Sequence, residues 1–127
     1  MQMQTKRKIQ ETFDCLGRLL KNIISTTSMV RGSFCVVYRR CGKQTCWCAN
    51  PEEKGHVSKR ITWNEKQQPQ IKNISIEEEQ WAKSTTESYH AFRKWRRELR
   101  AKEKRLESLL DDYENTVVKN TRKEHGF

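Results

Sequence analysis

Nothing in this chain is long or apolar enough to cross a bilayer, and no membrane partner is expected. Hydrophobic residues make up only 34% of the sequence against 33% charged, and mean hydropathy is -1.02. That is too little apolar material for a thick globular core, though ordinary for long helices with a narrow apolar seam. Four tryptophans and a patterned apolar set argue against disorder for most of the chain. An export signal is missing too. The N-terminal MQMQTKRKIQETFD turns amphipathic and acid-containing where a signal peptide would continue into its apolar core. A cytoplasmic protein is expected, nucleoid-associated if it binds DNA, with its cysteines reduced.

Further absences narrow the function. No Ser, His and carboxylate constellation suits general acid–base work, since His90 and His125 have no patterned partners, so an enzyme is not expected. The two-residue-spaced cysteine pair of thioredoxin-like motifs is lacking, which argues against a redox role. No internal repeat occurs at solenoid periods. What remains is 127 residues, enough for one compact domain or a small module carried on helices. A body with so thin a core needs a staple, and a structural metal would be one.

The chemistry is concentrated in RRCGKQTCWCANPEEKGH, Arg39 to His56. Three of the five cysteines fall there as Cys41-x4-Cys46-x-Cys48, with His56 following. Zinc takes four soft or borderline donors, and short loops let neighbouring thiolates converge on it. Gly42 allows a tight turn that points backbone amides at sulfur, and Trp47, between two cysteines, must project away. His56 is the expected fourth ligand, with Cys35 as competitor. One structural Zn²⁺ with a full shell leaves no open position for catalysis. Three thiolates would leave the site at −1, which Arg39, Arg40 and Lys43 offset. The alternative is unpaired buried cysteines.

Around this loop the pattern predicts an α+β fold. Ile9, Phe13, Leu16, Leu20, Ile23 and Ile24 make an apolar stripe on a helix over Thr5–Ser28, with Cys15 beside it as a small hydrophobe. The Ser25–Ser28 run then competes for backbone hydrogen bonds and weakens the helix, and Gly32 permits a change of direction. Ser33–Arg40 alternates, with Phe34, Val36 and Tyr38 on one face. His56–Trp63 puts Val57, Ile61 and Trp63 together, Asn64–Pro69 forms a turn, and Gln70–Ile76 is a third strand. A capping box of Ser75 and Glu78 opens a long helix. Its heptad rows, Phe92, Leu99, Leu106, Tyr113 and Trp95, Lys102, Leu109, Thr116, form a coiled-coil-like seam. Lys102 and Thr116 are faults in that seam, of the kind that fix register or partner number. The seam must meet the first helix or a second copy, which makes a homodimer through the C-terminal helix one expected arrangement. The segments are an N-terminal amphipathic helix (1–30), a three-stranded antiparallel zinc-stabilised module (31–75), the long helix (76–117) and a flexible tail (118–127).

Net charge is +10, and Arg31 to Lys72 supplies most of it, nine basic residues against three acidic. Concentrated positive charge favours polyanions, nucleic acid first, with solubility as the alternative. Arg39, Arg40, Lys43, Lys59 and Arg60 are candidate phosphate contacts, with Trp47 as a stacking platform and Trp63 assigned to the core. Arg93, Arg96, Arg97 and Arg100 give the long helix a basic face that suits a phosphate backbone. The acidic stretch from Glu107 to Glu114 offers the other outcome, charge pairing between antiparallel helices.

With Arg31-Gly32-Ser33, Tyr38-Arg39-Arg40-Cys41-Gly42-Lys43, Cys46-Trp47-Cys48 and Gly55-His56 in view, the chain resembles a family of small uncharacterised bacterial and archaeal zinc-knuckle proteins. These carry an RGS…YRRCGKxxCxC…GH signature and a helical C-terminus, and are often linked to mobile elements. The resemblance covers about Met29 to Glu114. It implies Cys41, Cys46, Cys48 and His56 as ligands, with Cys35 at a position usually apolar. The family's Gly-Pro and aromatic run is replaced here by Val57-Ser58-Lys59-Arg60. The expected function is a non-enzymatic, zinc-stabilised nucleic-acid-binding accessory protein, with DNA ahead of RNA, serving a transposition or recombination machine. A helical adaptor that recruits a larger mobile-element enzyme and a ribonucleoprotein subunit are the alternatives.

Overall fold

The computed structural model describes residues 2–126; Met1 and Phe127, which bound the first and last sequence segments, lie outside them. The order is α1 (Gln2–Ser25), β1 (Ser33–Arg39), β2 (His56–Glu65), β3 (Gln68–Asn73) and α2 (Glu79–His125). This is the expected α+β arrangement of an N-terminal helix, a three-stranded antiparallel sheet ordered β1-β2-β3, and a long C-terminal helix. Two compact units result. One holds Ser28 to Ala91, the sheet with the first turns of α2, and the other holds α1 with α2 from Phe92 onward.

In the sheet unit, β1 and β2 pair from Ser33↔Thr62 to Arg39↔His56, and β2 and β3 from Arg60↔Asn73 to Glu65↔Gln68. The hairpin between β2 and β3 turns on Lys66 and Gln67, both at positive φ (51° and 65°). That backbone follows the right-handed twist of the strands, although neither residue type signals such a turn in sequence. Pro69 therefore lies inside β3 instead of in the loop; β3 is an edge strand, where the missing N–H costs nothing to a neighbour. Ile61, Ile74 and Ala82 form the core, with Val30, Phe34 and Trp63 packed against it. Ala82 carries only a methyl group, fully buried, so α2 packs close against the sheet there. Thr85 and Thr86 are buried beside it and return their hydroxyls to α2 carbonyls. Lys59 Nζ adds an ion pair to Glu79 at 2.7 Å.

The strand faces alternate as the sequence indicates, but burial does not follow the whole face. Val36, Tyr38 and Val57 share the face of Ile61 and are nevertheless 42%, 48% and 54% exposed. The apolar core occupies only the end of the sheet near Ser33 and Trp63. Entry into α2 also differs from the capping box. The Ser75 hydroxyl donates to the Glu78 carboxylate at 3.0 Å, a turn follows, and the first helical bond runs from Ala82 N to Glu78 O. The helix thus begins at Glu79, one turn later than Ile76.

In the helical unit, α1 ends at Ser25 because Ser25 and Thr26 hydroxyls both donate to the Asn22 carbonyl. Its packed stripe is Ile9, Thr12, Leu16, Leu19 and Ile23. Phe13, Leu20 and Ile24 face solvent at 62%, 47% and 76% exposure, so the expected stripe is rotated by one residue at alternate turns. Hydrophobicity alone could not rank Thr12 above Phe13. The seam of α2 is as the heptads indicate: Phe92, Trp95, Leu99, Leu106, Tyr113 and Thr116 are half-buried and Leu109 is buried, while Lys102 is exposed. The two helices run antiparallel, with Lys6 Nζ over the Tyr113 ring at 6.0 Å. The expected flexible tail is helical as far as His125. Arg122, Lys123 and His125 in the last turn complement the negative end of the helix dipole, and Gly126 leaves it at φ 68°.

Candidate metal centre

Strand register builds the site. The chain leaves β1 at Arg39 and re-enters the sheet at His56, directly opposite, so everything between is a loop closed by the ladder. Gly55 makes that closure possible. It sits at φ 108°, and a Cβ there would lie 2.7 Å from the Arg39 carbonyl oxygen. His56 is thereby delivered to within two residues of the loop's start, beside Cys41.

The loop has its own internal order. Cys46 N–H donates to Lys43 O at 3.2 Å, and a 3₁₀ turn over Trp47–Ala49 follows. Asn50 Oδ1 accepts from Glu52 N–H at 3.1 Å, and Arg40 Nη2 donates to the carbonyls of Pro51 (3.4 Å) and Glu53 (3.0 Å). The extended Cys46 and the following tight turn direct both sulfurs inward and leave Trp47 outside, 56% exposed, edge-on to the His56 ring at 4.8 Å.

Cys41, Cys46, Cys48 and His56 bring three sulfurs and one ring nitrogen to within 4.8 Å of one another, and this cluster could hold one metal ion. Cys41 and Cys48 sulfurs are 3.5 Å apart, and Cys46 Sγ lies 3.3 Å from His56 Nε2. A tetrahedron with metal–sulfur bonds of about 2.3 Å and metal–nitrogen bonds of about 2.0 Å has edges of about 3.8 Å between sulfurs and about 3.5 Å from sulfur to nitrogen. Those two pairs stand close to these edges and the whole set lies within 4.8 Å, so the donors suit an ion of zinc's size and ligand preference once they draw in around it. Cys35, the competitor, is occupied elsewhere, its thiol donating to Arg60 O at 3.6 Å.

Electrostatics within the cluster favour one early thiolate. The Lys43 backbone N–H, then the His56 ring and the Cys48 thiol, hydrogen-bond Cys41 and bring it down to about 6, against its desolvation. Gly42, at φ 86°, turns that Lys43 amide toward the sulfur. Cys48, fully buried, goes the other way. The Cys41 N–H, 3.4 Å from its sulfur, draws it down, but burial and the adjacent Cys46 and Cys41 sulfurs outweigh that and push it up. A bound dication reverses this penalty by stabilising all three thiolates together.

The other sequence-derived residues are scattered more widely. Arg39 and Lys43 are exposed beside the cluster, while Arg40 is engaged in the loop clamp just described. Lys59 is tied to Glu79, and Arg60 is half-buried with its Nε lacking a partner. Trp63 packs on the core. Arg93, Arg96, Arg97 and Arg100 lie exposed on α2, in the helical unit. Contacts invisible in sequence include Ser33 Oγ with His90 Nε2 at 3.3 Å, because 57 positions separate them.

Residues 3–83, nearly two thirds of the chain and all four donors among them, match the family described as a domain of unknown function (DUF6788), and the chain belongs to that family. No curated protein and no solved structure matches it. Among the described residues no helix is long and apolar enough to cross a membrane.

Proposed function

We propose that the protein is a non-enzymatic nucleic-acid-binding accessory protein whose β module is stabilised by one structural zinc ion, acting with a transposition or recombination machine and preferring DNA to RNA. The observation that carries this is how little of the positive charge is used internally. Of 26 lysines and arginines, only Lys59 and Lys83 form ion pairs among the described residues, both to Glu79. Lys6 and Lys54 lie over tyrosine rings, Arg40 clamps the loop backbone and Arg60 is half-buried; most of the other cations are exposed and available to replace the counterions of a phosphate backbone. Arg39 and Lys43 are exposed on the same metal module as an exposed aromatic, Trp47, a combination that suits phosphate contact with base stacking. Arg93, Arg96, Arg97 and Arg100 add an exposed basic stretch on α2, where Phe92 and Trp95 are half-buried in the seam.

Fluorescence anisotropy with duplex DNA, single-stranded DNA and RNA across a salt series tests this. Binding is expected to weaken steeply with salt, and Arg39→Ala with Lys43→Ala should weaken it across all sequences and lower the salt slope by about two. No detectable binding to any of the three at low salt overturns it.

A second function, an adaptor whose helices recruit a larger enzyme, is supported by the exposed row of Phe13, Leu20 and Ile24 on α1. Affinity for a protein partner that is lost in Phe13→Lys while nucleic-acid binding persists would favour it.

A further inference from the structure

The lysine that interrupts the α2 seam has a position that explains it. Lys102 occupies a heptad place whose neighbours in the same row, Trp95 and Leu109, are packed inward. Across from it, α1 carries Thr12 and Cys15, both short side chains. Both helices therefore relax the seam over the same turn, and a hollow of about 320 Å³ opens there. Its walls are Lys8, Arg18, Lys102 and Arg105, with Glu11 as the single carboxylate. None of these five takes part in an ion pair among the described residues. The Thr12 hydroxyl donates to the Lys8 carbonyl at 2.8 Å and, being neutral, offsets none of the four charges.

Four cations around one opening repel each other, and a leucine at position 102 would both close the seam and remove a charge. An anion in the hollow relieves the repulsion. The volume equals that of about ten liquid waters, room for a phosphate group with part of its hydration. Lysine and arginine from two antiparallel helices approach such a group from opposite sides, and arginine contributes paired N–H donors.

We infer that this hollow is a phosphate site, with Lys102 as a direct ligand, filled by a backbone phosphate of the nucleic acid. The phosphate's source rests on the proposed nucleic-acid binding; the site itself does not. Lys102 is then part of a binding surface in the helical unit, which does not include the cysteine loop.

The test uses the full chain, with Lys102→Gln, Lys102→Leu and, as a control outside the hollow, Lys119→Gln. Thermal unfolding is measured with and without inorganic tripolyphosphate, and duplex DNA binding is measured across salt. Tripolyphosphate should raise the Tm of the wild type and of Lys119→Gln, and most of that rise should vanish in both Lys102 variants. Lys102→Leu should nevertheless start from a higher Tm than the wild type, because it completes the seam. DNA affinity should fall roughly fivefold in the Lys102 variants, with the salt slope lower by about one. An equal tripolyphosphate shift in all four proteins, or none in the wild type, overturns the site. If the shift depends on Lys102 but DNA does not bind, the site stands and the nucleic-acid function fails. If DNA binds and neither Lys102 variant alters affinity, slope or the shift, that function stands and the site fails.

Discussion

At the end of the sheet where Phe34 pairs with Ile61, order comes from apolar burial: Ile61, Ile74 and Ala82 are closed off from water, and Thr85 and Thr86 are satisfied within α2. At the other end, where Arg39 pairs with His56, the residues on the same strand face are exposed, and no apolar cluster is present among the described residues. There the chain places three sulfurs and an imidazole instead. One small sheet thus has an apolar core at one end and, at the other, a donor set that could hold a metal ion. A hydrophobic core requires a covering layer, which α2 supplies only near its first turns, whereas a metal cluster needs only a short loop and correct register. On the proposed reading, a bound zinc would supply the order that so polar a chain cannot draw from its core.

The comparison breaks most sharply if the metal is removed. Structural zinc contributes apparent binding free energies of about 10–16 kcal/mol in small zinc modules. Chelation, or Cys48→Ser, is expected to abolish amide exchange protection at Val37, Arg39 and Ser58 while leaving it measurable at Cys35 and Ile61. Equal loss at both ends would mean that the sheet is a single cooperative unit and that the distinction is false. The next largest effect belongs to the apolar end. Ile61→Ala should cost about 2–5 kcal/mol in urea unfolding, with the metal content unchanged. Metal lost together with the core would again merge the two ends.

The smallest effect concerns Glu79. The Lys59 hydrogen bond, assisted by the charges of Lys59 and Lys83 and opposed by desolvation, holds its carboxyl below the usual glutamate range. A depressed folded-state value means that the contribution is complete above the unfolded value and is lost as pH falls through the folded one. The wild type should exceed Glu79→Gln in urea midpoint at neutral pH, and the gap should close in acid below the ordinary glutamate range. Metal release in acid affects both proteins and cancels in the difference. A gap independent of pH would assign Glu79 a purely steric role.

How much was legible in the sequence follows the same division. The donor set was, because thiolate spacing and a histidine at the start of the next strand are local facts. The seam of α2 was too, since its apolar residues are large and regularly spaced. The face of α1 was not: Phe13 and Leu20 outweigh Thr12 and Leu19 in apolar content, yet the helix turns the latter pair inward. The β2–β3 turn was expected over Asn64–Pro69, but its confinement to Lys66 and Gln67 was not, because these residues adopt a conformation their side chains do not favour, imposed by the ladder on either side. Arg40 and Lys59 read as surface cations, but their roles depend on partners 13 and 20 residues away that only the fold supplies.

The central claim is that Cys41, Cys46, Cys48 and His56 hold one zinc ion that keeps the Arg39–His56 end of the sheet in place. Native mass spectrometry of the full chain reads this directly. One zinc per chain is expected, released when His56 or Cys48 is replaced; a fully folded chain that carries no metal would contradict it.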